Sequence, residues 1–259
     1  MTAARRRTSL TPHRDFAACL TFLRTILFWI YFVLLSVVFY LAALPTLVLP
    51  RRAIVRTSQT WSWCVFWGLK VFAGCGMEVR GEIPHGAVLV AAKHMSMWDT
   101  LALYALLDDV CIVVKRELYK IPFYGWYIRK AGVIGIDRAA GASALRTMAG
   151  EAAPVIKARR PIAIFPEGTR KKPGAPPDYK PGVAGLYGLL RLDCVPVALN
   201  SGQFWTGFLK RPGRIVIEFL PPIPAGLKRS EFMRELEGRI EAATAVLVEE
   251  GRRLLAKDG

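Results

Sequence analysis

The feature that most constrains the fold of this chain is an alternation, from about Met77 onward, of short apolar runs with longer amphipathic ones. Near-continuous apolar runs are typical of strands buried on both faces of a sheet, and the stretches between them are typical of covering helices. The predicted strands are Ala87 to Ala92, Cys111 to Val114, Val133 to Ile136, Pro161 to Phe165, Cys194 to Leu199 and Arg214 to Phe219. The pattern therefore predicts an α/β fold with a mostly parallel central sheet covered by helices.

The helices between and after these strands are less sharply defined. Ala142 to Ala158 and Gly182 to Arg191 have helical periodicity, and Lys228 to Ala256 is long and rich in charge. We expect this last helix to pack on the outside of the domain and to contribute no side chain to a site.

The N-terminal part of the chain has a different character. No charged residue occurs from Thr25 to Pro50, and a helix from Thr25 to Leu44 would measure about 30 Å, enough to cross a hydrocarbon core. A second apolar stretch, Trp61 to Gly74, is short and tryptophan-rich, which favours a helix at the membrane interface. Arginines flank both ends of the first run, so the positive-inside rule favours a pair of in-plane or re-entrant helices over a simple crossing.

A buried core helix is the alternative interpretation of the first run. We assign residues 1–76 to a basic segment followed by membrane-anchoring helices, and residues 77–259 to the α/β domain.

The composition is typical of a protein that acts at a membrane surface. Just over half of the residues are apolar, and 36 basic against 20 acidic side chains give a formal charge of +16. Basic residues near an anionic bilayer contribute about 1 kcal/mol each. The basic residues are scattered without a nucleic-acid-binding motif, which argues against a nucleic-acid partner. The five cysteines are widely spaced and there are three histidines, so we predict free thiols and no metal site.

His94 and Asp99 form the first candidate site. They are five residues apart, a spacing that separates two side chains on either a regular helix or a strand. A strand that ends at His94 and turns into a helix beginning near Ser96 or Trp98 would bring the carboxylate back onto the imidazole. That arrangement suits a histidine base, because the carboxylate holds one ring nitrogen and leaves the other for substrate. A structural histidine with Asp99 as a helix cap is the alternative.

Other polar residues also follow predicted strands. Asp137-Arg138 follows Val133 to Ile136, Phe165-Pro166-Glu167-Gly168-Thr169-Arg170 follows the strand from Pro161, and Asn200-Ser201 follows Cys194 to Leu199. In a parallel sheet, sites form at the carboxyl ends of the strands. We therefore expect these groups to lie near His94.

These blocks, in this order, resemble the glycerolipid acyltransferase superfamily, and specifically the bacterial 1-acyl-sn-glycerol-3-phosphate acyltransferases. The family motifs match His94 with Asp99, the glycine-led strand Gly132 to Arg138, the unchanged Phe165 to Arg170, and Val195-Pro196-Val197. The resemblance covers about residues 75 to 222. Gly135 departs from it, since the second motif often has an aromatic residue there, and this departure concerns the local packing and not the chemistry.

The resemblance implies transfer of a fatty acyl group from a thioester of acyl carrier protein or coenzyme A to the free hydroxyl of lysophosphatidic acid. The thioester is a co-substrate, and no cofactor is implied. An alcohol needs a base, and histidine, with an ordinary pKa of about 6.5, is suited to that role. His94 would be the base and Asp99 its orienting carboxylate. An oxyanion hole for the thioester carbonyl is expected, with backbone amides near the helix start after His94 as candidates, and the sequence does not identify its donors.

The acceptor carries a phosphate, and the planar guanidinium group of arginine suits phosphate oxygens. Arg138 and Arg170 are the leading candidates, with a pairing of Arg138 to Asp137 as the alternative, and Lys115 is either a third phosphate ligand or an ordinary exposed lysine. The other substrate-binding candidates are Glu167, Gly168 and Thr169. Glu167 would bind the glycerol hydroxyl or pair with an arginine, Gly168 would allow a close backbone approach, and Thr169 would hydrogen-bond the loop.

The resemblance also implies a location at the bacterial cytoplasmic membrane, with the catalytic domain facing the cytoplasm and in contact with membrane lipids. Three other functions stay open. The acceptor could be a different lyso-lipid, the chain could be an inactive lipid-binding protein, or it could be a hydrolase that uses Ser96 or Ser201. Against the hydrolase, this sequence lacks the Gly-x-Ser-x-Gly nucleophile elbow around either serine.

Overall fold

The computed structural model describes residues 12–137 and 141–257. Its strands are β1 (Cys75–Arg80), β2 (Leu89–Ala92), β3 (Cys111–Lys115), β4 (Ile134–Ile136), β5 (Ile162–Ile164), β6 (Cys194–Leu199), β7 (Trp205–Thr206), β8 (Leu209–Lys210) and β9 (Gly213–Phe219). Its helices are α1 (Pro12–Ala42), α2 (Arg51–Ala73), α3 (Met97–Leu106), α4 (Tyr124–Ala131), α5 (Gly141–Lys157), α6 (Gly182–Leu190) and α7 (Arg229–Lys257). Short 3-10 turns cover Leu44–Leu47, Arg116–Lys120 and Ser201–Gln203.

The described strands form a seven-stranded sheet in the order β1-β9-β6-β2-β5-β3-β4, beside a small β7-β8 hairpin. Five neighbouring strands of this sheet, from β6 to β4, are parallel, and among its described strand pairings the β6-β9 pairing alone is antiparallel. β1 then pairs with β9 in parallel. The prediction of a mostly parallel sheet is confirmed, and the polar residues that follow the five parallel strands all lie at one edge.

The centre of the sheet is its most apolar part. Every residue of β2 and of β6 is buried, because helices cover both faces. Strands covered on both sides have continuous apolar sequences, which is the pattern that identified them. The strand ends followed by His94 and by Asn200 are therefore held by well-packed neighbours.

The N-terminal helices α1 and α2 form a hairpin joined by Leu44–Leu47. They cross closely where the Tyr31 ring lies over Gly68, at which a Cβ atom would come within 2.0 Å of the ring. The Tyr31 hydroxyl also donates to the Cys64 carbonyl at 2.9 Å. α2 ends at Gly74, whose φ of +67° is a conformation that glycine adopts without strain.

One long segment of α1, Ala18–Ala42, has the length and mean hydropathy (2.3) of a membrane span, and 11% of its most apolar window is buried. A mostly exposed apolar helix is compatible with a membrane protein. α1 still contributes to the domain core, because Phe28 is fully buried and meets Trp205 of the hairpin edge-on at 5.5 Å.

The sequence-based prediction did not identify β1, the β7-β8 hairpin or α4. β1 mixes polar and apolar residues, and the β7-β8 hairpin has only two residues in each strand. The boundary predicted after residue 76 falls inside β1, while α1, α2 and the sheet share one apolar cluster.

Candidate active site

His94 and Asp99 are brought together by the turn from β2 into α3. Ser96 caps α3, and its Oγ accepts the Trp98 amide at 3.1 Å, while the Asp99 carboxylate reaches back to the Ser96 amide at 2.8 Å. This reciprocal pair is a capping box. The same carboxylate lies 2.9 Å from His94 Nδ1. Asp99 is therefore both the helix cap and the partner of the histidine.

The hydrogen bonds of Asp99 assign the protons of the His94 ring. Asp99 is fully buried, and its Oδ2 accepts the amides of Met95 at 2.6 Å and of Ser96 at 2.8 Å. Its Oδ1 accepts the hydroxyl of Ser201. A carboxylate oxygen accepts hydrogen bonds, so Nδ1 of His94 donates to it and Nε2 carries the free lone pair. The ring is thus oriented as a base requires.

The two serines of the hydrolase alternative are both tied to Asp99. Ser96 Oγ lies 3.2 Å from Asp99 Oδ1 and 2.9 Å from Ser201 Oγ, and both serines are buried. In the described part of the chain neither hydroxyl hydrogen-bonds to the His94 imidazole, the base that a serine nucleophile would need. The geometry therefore does not favour either serine as a nucleophile.

The expectation of an oxyanion hole at the start of α3 is wrong for three amides. Those of Met95 and Ser96 are bound by the Asp99 carboxylate, and that of Trp98 is bound by Ser96 Oγ. Capping consumes these donors because the first amides of a helix have no partner within it. These three amides are therefore not free to bind a developing oxyanion.

The loop after β5 is fastened directly to His94. The Phe165 ring stacks on the imidazole with centroids 3.9 Å apart, and the Lys171 amide donates to the His94 carbonyl at 2.9 Å. Within the loop, the Gly168 amide donates to the Phe165 carbonyl at 2.9 Å, which closes a tight turn. Gly168 has a φ of +65°, so the turn itself explains this glycine. The loop carries Arg170 to the same side as the histidine.

A buried ionic cluster supports the site from behind. Lys93, 2% exposed, donates to Glu167 at 3.0 Å and to Glu241 of α7 at 2.6 Å. The Tyr179 hydroxyl donates to Glu241 at 2.8 Å, and burial, together with this carboxylate, raises the pKa of Tyr179. Glu167 is 1% exposed, and its Oε2 has no hydrogen-bond partner among the described residues.

Two expectations are corrected by this cluster. Glu167 pairs with a lysine instead of an arginine, because the residue that precedes His94 points its ammonium into the interior. α7 does contribute to the surroundings of the site, because one turn of it brings Glu241 against Lys93. Neither contact was visible in the sequence, where Glu241 is one acid among many on a charged helix.

His94 opens onto a cavity of about 630 Å³. Of the predicted substrate-binding residues, Lys115, Gly168, Thr169 and Arg170 line this cavity together with it. Glu167 is absent from the lining, in keeping with its burial. Arg138 lies outside the described residues, so its position relative to the cavity is not part of the structure.

The rest of the cavity wall is mainly apolar and comes from α1, α2, α3 and α4. Its lining includes Phe39, Tyr40, Ala43, Ile54, Trp61, Leu101, Ile128 and Ala131. The N-terminal helices therefore form part of the candidate site. A deep apolar wall beside a base and two cations suits a lipid with a charged headgroup.

The departure at Gly135 has a structural explanation. A Cβ atom there would come within 2.3 Å of the Tyr119 ring, whose hydroxyl donates to the Val133 carbonyl at 2.9 Å. The Arg129 guanidinium lies 4.6 Å from the same ring. An aromatic ring thus covers this strand, but it comes from the Arg116–Lys120 turn.

Comparison with known proteins adds to this geometry. A family model described as Acyltransferase matches residues 76–200. A curated 1-acyl-sn-glycerol-3-phosphate acyltransferase from Pseudomonas aeruginosa is 34% identical over 230 residues, which cover 85% of this chain and 88% of that protein. The chain belongs to the 1-acyl-sn-glycerol-3-phosphate acyltransferase family.

More distant relatives agree with this membership. The human 1-acyl-sn-glycerol-3-phosphate acyltransferase alpha is 31% identical over 163 residues, or 60% of this chain and 58% of that protein. The crystal structure of the acyltransferase PlsC from Thermotoga maritima matches with a TM-score of 0.70 and 21% identity, covering 86% of this chain and 97% of that one. At this identity the structural match establishes the fold, which includes the helices before the sheet.

Proposed function

We propose that this acyltransferase transfers a fatty acyl group from an acyl thioester to the sn-2 hydroxyl of 1-acyl-glycerol-3-phosphate, giving phosphatidic acid. The observation that carries the proposal is the cavity in which an oriented His94 faces Arg170, Lys115 and a mainly apolar wall. The curated Pseudomonas aeruginosa and human relatives are named for this reaction.

The positions of His94 and Asp99 support the following reaction steps. Nε2 of His94 takes the proton of the acceptor hydroxyl as its oxygen attacks the thioester carbonyl carbon. Asp99 stabilises the imidazolium that forms. The tetrahedral intermediate then collapses, the carbon–sulfur bond breaks, and the proton passes from His94 to the departing thiolate. No covalent acyl-enzyme is needed, which agrees with the engagement of Ser96 and Ser201 by Asp99.

Arg170 and Lys115 would hold the acceptor phosphate, with Arg138 as a further candidate. Thr169 and Gly168 would shape the wall beside them, and the acyl chains would lie along the apolar lining from α1 and α2. Glu167 would act through Lys93, by supporting the strand end that carries His94. The donor would be a thioester of acyl carrier protein or coenzyme A, and the catalytic domain would face the cytoplasm.

The test is a transfer assay on the full-length enzyme in vesicles, with labelled acyl thioester and a panel of lyso-acceptors. Wild type should acylate 1-acyl-glycerol-3-phosphate in preference to lyso-phosphodiesters, and His94→Ala should lower kcat by about 10²- to 10⁴-fold without loss of fold. Transfer to another acceptor alone would reassign the substrate. Free fatty acid as the sole product would mean a hydrolase, and no turnover would leave a lipid-binding protein.

A further inference from the structure

An exposed apolar surface lies on the catalytic domain beside the N-terminal helices. Ile121, Phe123 and Trp126, which we call the aromatic wedge, are 45%, 54% and 52% exposed. The rings of Phe123 and Trp126 meet edge-on with centroids 5.1 Å apart. Large aromatic side chains that project together into solvent mark a surface with a partner.

The backbone of the wedge has a strained conformation at Phe123. This residue has φ +60° and ψ −58°, and the Tyr124 amide donates to the Pro122 carbonyl at 2.6 Å, which makes a γ-turn. Such a conformation costs about 1–3 kcal/mol for a residue with a side chain, and strain of this kind concentrates at functional positions. The Phe123 ring is 54% exposed, so burial of this side chain does not explain the conformation.

The surroundings of the wedge are basic. Arg116, Lys120 and Arg129 are exposed, and Lys115 and Lys130 lie on the same segment, against one acid, Glu117. Aromatic rings amid cations match the headgroup level of an anionic bilayer, where the rings sit in the interface and the cations meet phosphate. An acidic protein partner would form ion pairs with the cations but would leave the three apolar side chains uncovered.

The wedge is also continuous with the apolar surface of α1. Tyr127, the residue after Trp126, donates its hydroxyl to the Tyr40 carbonyl at 2.7 Å, and the two rings lie 5.6 Å apart. Around this junction, Tyr40, Leu41 and Leu44 are 41%, 63% and 43% exposed. A bilayer that covers this end of α1 would therefore reach α4 as well.

We propose that the aromatic wedge inserts into the interface of an anionic lipid bilayer, as a membrane contact of the catalytic domain in addition to α1. Tyr124 and Tyr127, on either side of Trp126, line the cavity that contains His94. The contact thus holds that cavity against the lipid from which the acceptor comes. The proposal rests on the proposed function, since only a lipid-embedded acceptor needs this placement.

The direct test replaces Phe123 by a photoreactive benzoylphenylalanine in the full-length protein, reconstituted in vesicles of phosphatidylglycerol and phosphatidylethanolamine. This aromatic side chain keeps the shape of the wedge, so folding is preserved. We expect lipid adducts by mass spectrometry at position 123 and none at the control position Val246, which is 58% exposed on α7. Cross-linked dimers, or no lipid adduct at position 123, would overturn the proposal.

The kinetic test compares Phe123→Ser/Trp126→Ser with the control Val246→Ser/Leu254→Ser, both pairs being exposed apolar residues. The wedge variant should raise the apparent KM for a long-chain acceptor in vesicles about tenfold and leave turnover of a short-chain, dissolved acceptor unchanged. If wild type and wedge variant have equal apparent KM values for the long-chain acceptor, the proposal that the wedge inserts into the bilayer is overturned. Absence of transfer by wild type would instead overturn the proposed function.

Discussion

At the scale of single residues, Asp99 carries two tasks that are usually separate. It closes the capping box of α3 and it orients His94. The sequence left a choice between a helix cap and a catalytic partner, and the structure shows one carboxylate that caps α3 and also contacts the His94 imidazole. The choice could not be made beforehand because the two roles require the same residue at the same distance from the strand end.

Asp99→Asn tests this double role. The amide group can accept from some of the backbone donors, but its NH₂ faces donors that need an acceptor. We expect unfolding free energy to fall by about 1–3 kcal/mol and kcat to fall by at least about 10²-fold. Ser201→Ala is the control, because it removes one donor to Asp99 and leaves the His94 contact in place. Wild-type kcat in a stable Asp99→Asn protein would contradict the orienting role.

Arg170 belongs to the binding of the acceptor in our proposal. It lines the cavity beside His94, and its loop is held by its own backbone bonds, so removing the side chain should leave the fold intact. We expect Arg170→Ala to raise KM for the phosphate acceptor about 10- to 100-fold, with a smaller effect for Arg170→Lys. Steady-state kinetics at a fixed thioester concentration would measure this KM. Unchanged KM values would remove Arg170 from the phosphate site.

At the scale of elements, α7 is tied to the site through the cluster of Lys93, Glu167 and Glu241. Lys93→Met would leave Glu167 buried without a counter-charge, a change that costs about 3–5 kcal/mol. Glu241→Gln leaves the Lys93–Glu167 pair intact, and Glu241 is partly exposed, so we expect a loss of about 1 kcal/mol. Chemical denaturation of both variants would measure their unfolding free energies and show which variant loses more. Equal losses would show that the cluster is not organised around Lys93.

The elements predicted best were those whose sequence alone decides their packing. β2 to β6 and β9 were predicted within two residues of their observed ends, and β2 and β6, covered on both faces, are buried at every residue. β1 was missed because it is only partly covered. The Lys93 cluster and the cavity wall from α1 were missed because both depend on tertiary contacts between distant parts of the chain.

At the scale of the whole molecule, Lys210 fastens the β7-β8 hairpin to α1. Its ammonium donates to the Gly207 carbonyl at 2.6 Å and lies 4.4 Å and 4.5 Å from the ring centroids of Trp29 and Trp205. The Lys210 backbone meets the hydroxyl of Thr25. Burial lowers the pKa of Lys210 to about 7.

This pKa gives a pH dependence with a defined sign. In the unfolded chain Lys210 keeps its ordinary pKa of about 10.4, so above pH 7 the unfolded state binds more protons than the folded one. Unfolding free energy should therefore rise from pH 7 to pH 10, by at most about 1.4 kcal/mol per pH unit. Lys210→Met should flatten this rise in thermal unfolding. A rise that persists in the variant would assign it to other groups.

The shared use of Asp99 also bears on how relatives of this enzyme could lose their activity. In a relative that no longer needs the chemistry, loss of the His94 side chain would remove the stacking on Phe165 but would leave the hydrogen bonds of Asp99 to the Met95 and Ser96 amides in place. Losing Asp99 would undo the start of α3 as well. Inactive paralogues should therefore keep the aspartate and differ at the histidine.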